Sequence, residues 1–179
     1  GARRTRCAID QGSSRAKTIL ADYYVFNLRD PAMYPEALRL YREAAAAGYD
    51  GALGDLGQVY AVGLYGEERD DVRAADYYQQ AAAMGAPQGL RGLATFTAAG
   101  RGGVAQDKVE ALRLWRQLEA MGGRGKQGPI ATLLREDPGL QAELDRRLED
   151  FRKKKPKSAR KCAAASKTKA TKTAVAAEA

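Results

Sequence analysis

Residues Ala99 to Gly122 read AGRGGVAQDKVEALRLWRQLEAMG, and this stretch decides the fold. A glycine-rich turn, Gly100 to Gly103, leads to Asp107, which stands just before a run with helical spacing of apolar side chains. Glu110 follows three residues later, the spacing of a capping box that satisfies free amides at a helix start. Gly122 closes the run, at the place where a residue in the left-handed conformation ends a helix. The stretch predicts a turn, an N-cap, one amphipathic helix and a stop.

The same pattern recurs on both sides at an interval of 37 residues. Ala37, Ala74 and Ala111 share that spacing, as do Tyr41, Tyr78 and Trp115, then Ala44, Ala81 and Leu118, and finally Gly48, Gly85 and Gly122. Upstream of these, Leu53 matches Leu90, Leu56 matches Leu93, and Gly63 matches Gly100. Each unit reads as two short helices. The second is marked by an i, i+3, i+4, i+7 stripe such as Ala37-Leu38, Leu40-Tyr41 and Ala44-Ala45. The first, for example Gly51 to Val62, carries Leu53, Leu56 and Tyr60. Gly54 and Gly57 lie inside it at a cost of about 1 kcal/mol each relative to Ala, which predicts close approach of a neighbouring helix.

Val104, Asp107, Ala111, Trp115 and Gly122 fill the hallmark places of the Sel-one-like repeat, a relative of the tetratricopeptide repeat, and the stretch resembles that family. The preceding unit keeps Gly63, Gly66, Asp70, Ala74, Tyr78 and Gly85 but lacks the loop Val. The earliest unit departs furthest, because Asn27 to Pro35 replaces the glycine loop with Asp30-Pro31 and Pro35, although its second helix, Glu36 to Gly48, still fits. The resemblance covers about Ala16 to Leu134. It implies an α-solenoid that binds proteins, usually without catalysis.

Physical reasoning reaches the same fold class: an all-α, short right-handed solenoid of helix-turn-helix repeats with basic extensions. A two-helix unit buries one face only by stacking on its neighbours. The residues expected to make that packing are Ala37, Tyr41, Gly48, Leu56, Ala74, Tyr78, Gly85, Leu93, Ala111, Trp115 and Gly122. A further helix is expected from about Pro129 to Leu134. Another runs from Asp137-Pro138 to about Lys154, with Leu140, Leu144, Leu148 and Phe151 on one stripe, as a polar-faced cap.

Charge divides the chain into three parts: a basic extension over residues 1–15, the solenoid with its capping helix over 16–151, and a Lys/Ala-rich tail over 152–179. The tail carries ten cations, Arg152, Lys153, Lys154, Lys155, Lys157, Arg160, Lys161, Lys167, Lys169 and Lys172, against Glu178 alone. The remainder, with 20 basic and 21 acidic residues, is nearly neutral, so the net charge of +8 belongs to the tail. A Lys-, Ala- and Thr-rich run with no apolar period cannot offset its ordering entropy and is expected to be disordered alone. It suits RNA, DNA, an anionic membrane or an acidic protein surface. Arg152 to Lys157 also reads as a nuclear-import run, and a merely solvating extension is the plainest reading.

Chemistry is excluded more firmly than partners. The chain has no histidine, which removes histidine triads, histidine acid–base catalysis and histidine zinc sites. Cys7 and Cys162 form no CxxC pair and read as two free thiols. The run Gly122 to Lys126 resembles a phosphate loop, but Gln127 occupies the place where Ser or Thr must hold magnesium. Arg101-Gly102-Gly103 is a single motif in a repeat loop. Glu67-Glu68 and Asp70-Asp71 look solvated and cap-like rather than catalytic. The tyrosines Tyr23, Tyr24, Tyr41, Tyr60, Tyr77 and Tyr78 are expected to pack between helices with their hydroxyls at the surface. The longest uncharged run, ending at Leu90, is well short of a membrane span.

The expectation is therefore a protein-binding scaffold without catalysis, cofactor or small-molecule substrate, acting as an accessory subunit of a larger assembly. The Met-less, Arg-rich start favours an organellar setting, of the mitochondrial ribosome or respiratory and ATP synthase type. A nuclear adaptor associated with chromatin or RNA is the main alternative. A bacterial repeat protein regulating a partner enzyme is another.

Overall fold

The structure is a computed structural model, and residues 13–122 and 127–154 are described. Helix α1, Ser14–Asp22, begins under the Ser13 hydroxyl, which accepts from the Ala16 amide at 3.3 Å, and continues as a π-helix over Tyr23–Leu28. After a 3-10 turn, Pro31–Met33, come α2 (Tyr34–Ala46), α3 (Asp50–Val62), α4 (Asp71–Ala83), α5 (Pro87–Ala99), α6 (Lys108–Ala120), α7 (Gln127–Glu136) and α8 (Leu140–Lys154). No strand occurs among the described residues. Two compact units divide the chain, Gly1–Leu140 and Gln141–Ala179.

The 37-residue interval is a physical translation. Helices α2, α4 and α6 begin and end 37 residues apart, and so do α3 and α5. The connections repeat as well. Asp70 N–H donates to Tyr60 O at 2.8 Å, and Asp107 N–H donates to Thr97 O at 3.0 Å, so each long loop is pinned back on the helix it leaves. At the tight turns Tyr49 N–H donates to Ala44 O and Ala86 N–H to Ala81 O, at 3.0 and 2.9 Å. Gly48, Gly85 and Gly122 hold φ of +78°, +81° and +70° there, a conformation costly for residues with a Cβ. This corrects their expected packing role. A Cβ at any of the three would meet nothing within 4 Å, so they serve by conformation alone.

Packing comes from small residues beneath aromatic rings. Ala37, Ala74 and Ala111 are fully buried, as is Leu56, and the ring positions Tyr41, Tyr78 and Trp115 are buried as well. Leu93 is half-buried against the same cluster. Asp70 and Asp107 each accept two amides of the helix they start. The capping box at Asp107 is only half made: Glu110 is turned to Arg113, with bonds of 2.6 and 2.8 Å, instead of reaching back. A full cation in reach outcompetes a second amide for a carboxylate.

The apolar stripe on α8 runs out before its expected end: Leu140 and Leu144 are buried while Leu148 is exposed. Helix α8 ends at Lys154, as the sequence predicts, so Arg152, Lys153 and Lys154 of the basic segment are helical. Cations complement the negative end of a helix dipole, and Lys153 lies 3.7 Å from Asp150 one turn back. Lys155, Lys157, Arg160, Lys161, Lys167, Lys169 and Lys172 lie outside the described residues, as do Cys7, Cys162 and Lys126 of the phosphate-loop-like run.

Candidate functional site: a groove between the first helices

The first helix of a unit buries one flank against the second helices and leaves the other open. On α3 and α5 the open positions are Gln58, Val62, Gln88, Arg91 and Thr95, and between them lies a groove of about 300 Å³. Its floor is built by glycine. The Tyr78 ring of α4 is wedged between Gly57 of α3 and Gly92 of α5: a Cβ at Gly57 would stand 2.6 Å from two ring carbons, and one at Gly92 would collide harder still. The helix-propensity penalty of Gly57 therefore serves to seat one aromatic ring. Phe96 meets Tyr78 edge-on, with centroids 5.4 Å apart and planes at 71°.

The rim is cationic. Arg101 lays its guanidinium 4.6 Å over the Phe96 ring and grips Asp71 with two bonds of 2.7 and 2.9 Å. Asp71 also accepts from Arg69 through two 3.0 Å bonds, so Arg101, then Arg69, holds its carboxyl far below the usual range. Asp70 is the cap that the sequence suggests, since it starts α4, while Asp71 instead ties a repeat loop to that helix. Arg91 differs from Arg101. It is exposed at the groove and makes no ion pair among the described residues.

One unit earlier the same architecture carries a different filling. Asp55 stands at the position of Gly92, and Tyr41 at that of Tyr78. The Tyr41 hydroxyl is directed inward and donates to Asp22 Oδ1 at 2.5 Å, contrary to the expected surface placement. Burial and this carboxylate both hold the phenol proton on. Asp55 lines a smaller hollow of about 160 Å³ with Tyr41, Tyr65 and Phe26. Burial, then the nearby charge of Asp22, pushes its carboxyl up to about 6, against the opposing hydrogen bond of Gln88. Tyr60 is buried too, and its hydroxyl accepts from Arg42 at 3.1 Å.

Of the residues predicted from sequence, Tyr78 and Leu93 come together near the groove, Tyr41 belongs to the Asp55 cluster, and Ala111 and Trp115 pack elsewhere in the core. Arg91, Gln88, Asp55 and Asp22 were not singled out from sequence. Only the mismatch between Asp55 and Gly92 in the 37-residue alignment could have flagged them. Among the described residues, no group of three or more Cys, Asp or Glu is placed to hold a metal ion, and no helix is long and apolar enough to cross a membrane.

A stack of two-helix units with a groove along its first helices defines an α-solenoid. Solved structures identify which kind. A Sel1 repeat protein from Oxalobacter formigenes superposes with a TM-score of 0.62 at 28% identity, over 72% of this chain and 96% of that one. A protective antigen of uropathogenic Escherichia coli strains, displaying an SLR fold, gives 0.61 at 28% identity, over 72% of this chain and 27% of that chain. Helicobacter pylori cysteine rich protein B, at 20% identity and a TM-score of 0.54, shares the fold over 71% of this chain. No family model and no curated protein matches significantly. The chain has the Sel1-like repeat fold, that of a protein–protein interaction scaffold.

Proposed function

We propose that the protein is a non-catalytic scaffold that holds an extended, acidic segment of a partner protein in the groove between α3 and α5. One observation carries this reading: Arg91, at the edge of an aromatic floor, makes no ion pair among the described residues, and the exposed amide of Gln58 stands beside it. An unpaired guanidinium recognises a carboxylate through two parallel bonds, and a rigid aromatic floor supplies area at little entropic cost. The test is purification of the tagged chain with its bound proteins, as wild type and as Arg91→Glu. Proteins that bind through the groove are lost from the variant, and an unchanged set of partners overturns the reading.

The basic tail is assigned to RNA or to an acidic partner surface. The peptide 152–179 is expected to bind RNA with a steep salt dependence if the partner is a polyanion. Weak, salt-insensitive binding assigns the tail to protein. Membership of an organellar assembly remains the preferred setting, with fractionation and co-purifying subunits as its test, and a nuclear adaptor is its alternative. The bacterial sources of the three structural neighbours support the other reading, a bacterial repeat protein that regulates a partner. Co-purification separates the two.

A further inference from the structure

The groove has a copy one unit earlier, and the copy is reversed in charge. A step of 37 residues carries Tyr78, Gly92, Thr95, Phe96 and Arg101 of the groove onto Tyr41, Asp55, Gln58, Val59 and Leu64, and all five of these line the hollow of about 160 Å³. The two cavities are thus one feature of the repeat, built twice. Three positions then trade sign. Arg91 and Arg101 of the groove correspond to Gly54 and Leu64, and Gly92 corresponds to Asp55. Cations line the first cavity, and a carboxylate lines the second.

In the groove the chain supplies its own guanidinium to the aromatic wall: Arg101 lies 4.6 Å over Phe96 and is held by Asp71. In the hollow Leu64 brings no charge, and no cation pairs with Asp55 among the described residues. Its neighbours are the Gln88 amide, which hydrogen-bonds it, and Asp22, which accepts from the Tyr41 hydroxyl. The remaining wall is aromatic, from Tyr41, Tyr65 and Phe26, and Phe26 is exposed at its mouth. A carboxylate set among ring faces is the complement of an ammonium or guanidinium group, whose charge both attract.

Hollow and groove are also continuous. Gln58 lines both, and Gln88 of the groove is the residue that bonds Asp55. A segment lying in the groove therefore has the hollow next along its path. Packed helices stand about 10 Å apart, so one step along the stack spans about three residues of extended chain.

We propose that the hollow at Asp55 receives a lysine or arginine side chain of the same partner segment whose acidic residue meets Arg91. The recognised motif is then an acid and a base about three residues apart. This rests on the reading of the groove as a peptide site and adds the second half of its specificity. The probe is a phage-displayed library of random linear peptides, selected on the immobilised full chain. The readout is the frequency of acid–base pairs at each spacing. Pairs about three residues apart should be enriched about tenfold over the unselected library, as for one charge-assisted contact. Asp55→Asn should remove the preference for a base and keep that for an acid. Leu64→Arg should do the same, by giving the hollow the internal cation that the groove has. Arg91→Glu should remove the preference for an acid. Circular dichroism verifies that the variants are folded, and Asp55→Asn alone suffices if Leu64→Arg does not fold. Selected peptides with an acid but no paired base overturn the proposal and leave the groove reading standing. A base preference that survives Asp55→Asn overturns it too, because another acid is then responsible. So does one that appears only after removal of residues 1–12, since the chain's own arginines then occupy the hollow. Peptides selected without an acid overturn the groove reading, and the paired motif with it.

Discussion

Tyr78 shows how much one ring can demand of its neighbours. Gly57 and Gly92 come from different helices, and each leaves out the Cβ that would strike the ring. Replacing Gly57 by Leu is expected to lower unfolding stability by about 3 kcal/mol, the upper range for overpacking, despite the gain in helix propensity. Denaturant unfolding measures it, and the double variant Gly57→Leu/Tyr78→Ala should lose less than the sum of the single losses because the two share one space. Asp55 is the opposite case, a side chain added where the next unit has none. Its carboxyl titrates near 6 in the folded chain and in the ordinary carboxylate range when unfolded. Between those values the folded chain binds more protons, so stability falls as pH rises through that window, and the loss is complete at pH 7. Asp55→Asn is expected to stabilise at pH 7 by about 1–2 kcal/mol, less than full burial implies because the carboxyl is only half-buried, and to give no benefit near pH 3.5. Thermal melts at the two pH values check the sign.

Among the elements, α4 and α6 are defined at their starts by Asp70 and Asp107, each taking two amides on one oxygen. Asp107→Ala should cost about 1 kcal/mol, and Glu110→Ala much less, because Glu110 does not reach back to the cap. Comparison of the two melting curves checks that order. The second helices were legible in the sequence because periodic alanines, a ring and a closing glycine each have one structural meaning. The π-helix at Tyr23–Leu28 was not, since nothing in YYVFNL distinguishes an i→i+5 ladder from an ordinary helix end. What betrays it is position: this segment overruns the place where Gly63 and Gly100 stop the later first helices, and Arg29 takes the left-handed conformation instead, with φ of +51°. The groove was half legible. Gly57 predicted close approach, but which arginine stays unpaired depends on distances between loops that no pattern of residues records.

At the scale of the molecule, charge and fold are segregated. The cations that give the chain its net charge lie almost wholly beyond Phe151, so deletion of residues 155–179 should leave helicity per described residue and melting temperature nearly unchanged while abolishing any polyanion binding. Calorimetry and a salt titration measure the two effects separately. A large drop in melting temperature would mean that the tail contributes to the core. The coincidence of helix boundaries after each 37-residue step has a consequence for how such a chain can change. Residues 50–86 form a cassette that starts at Asp50 and hands over at Ala86–Pro87 to a helix of the same length and register. Duplication of that cassette in the gene lengthens the array by one rung without a new fold having to be found, whereas the first unit, with its π-helical ending, is not interchangeable in this way.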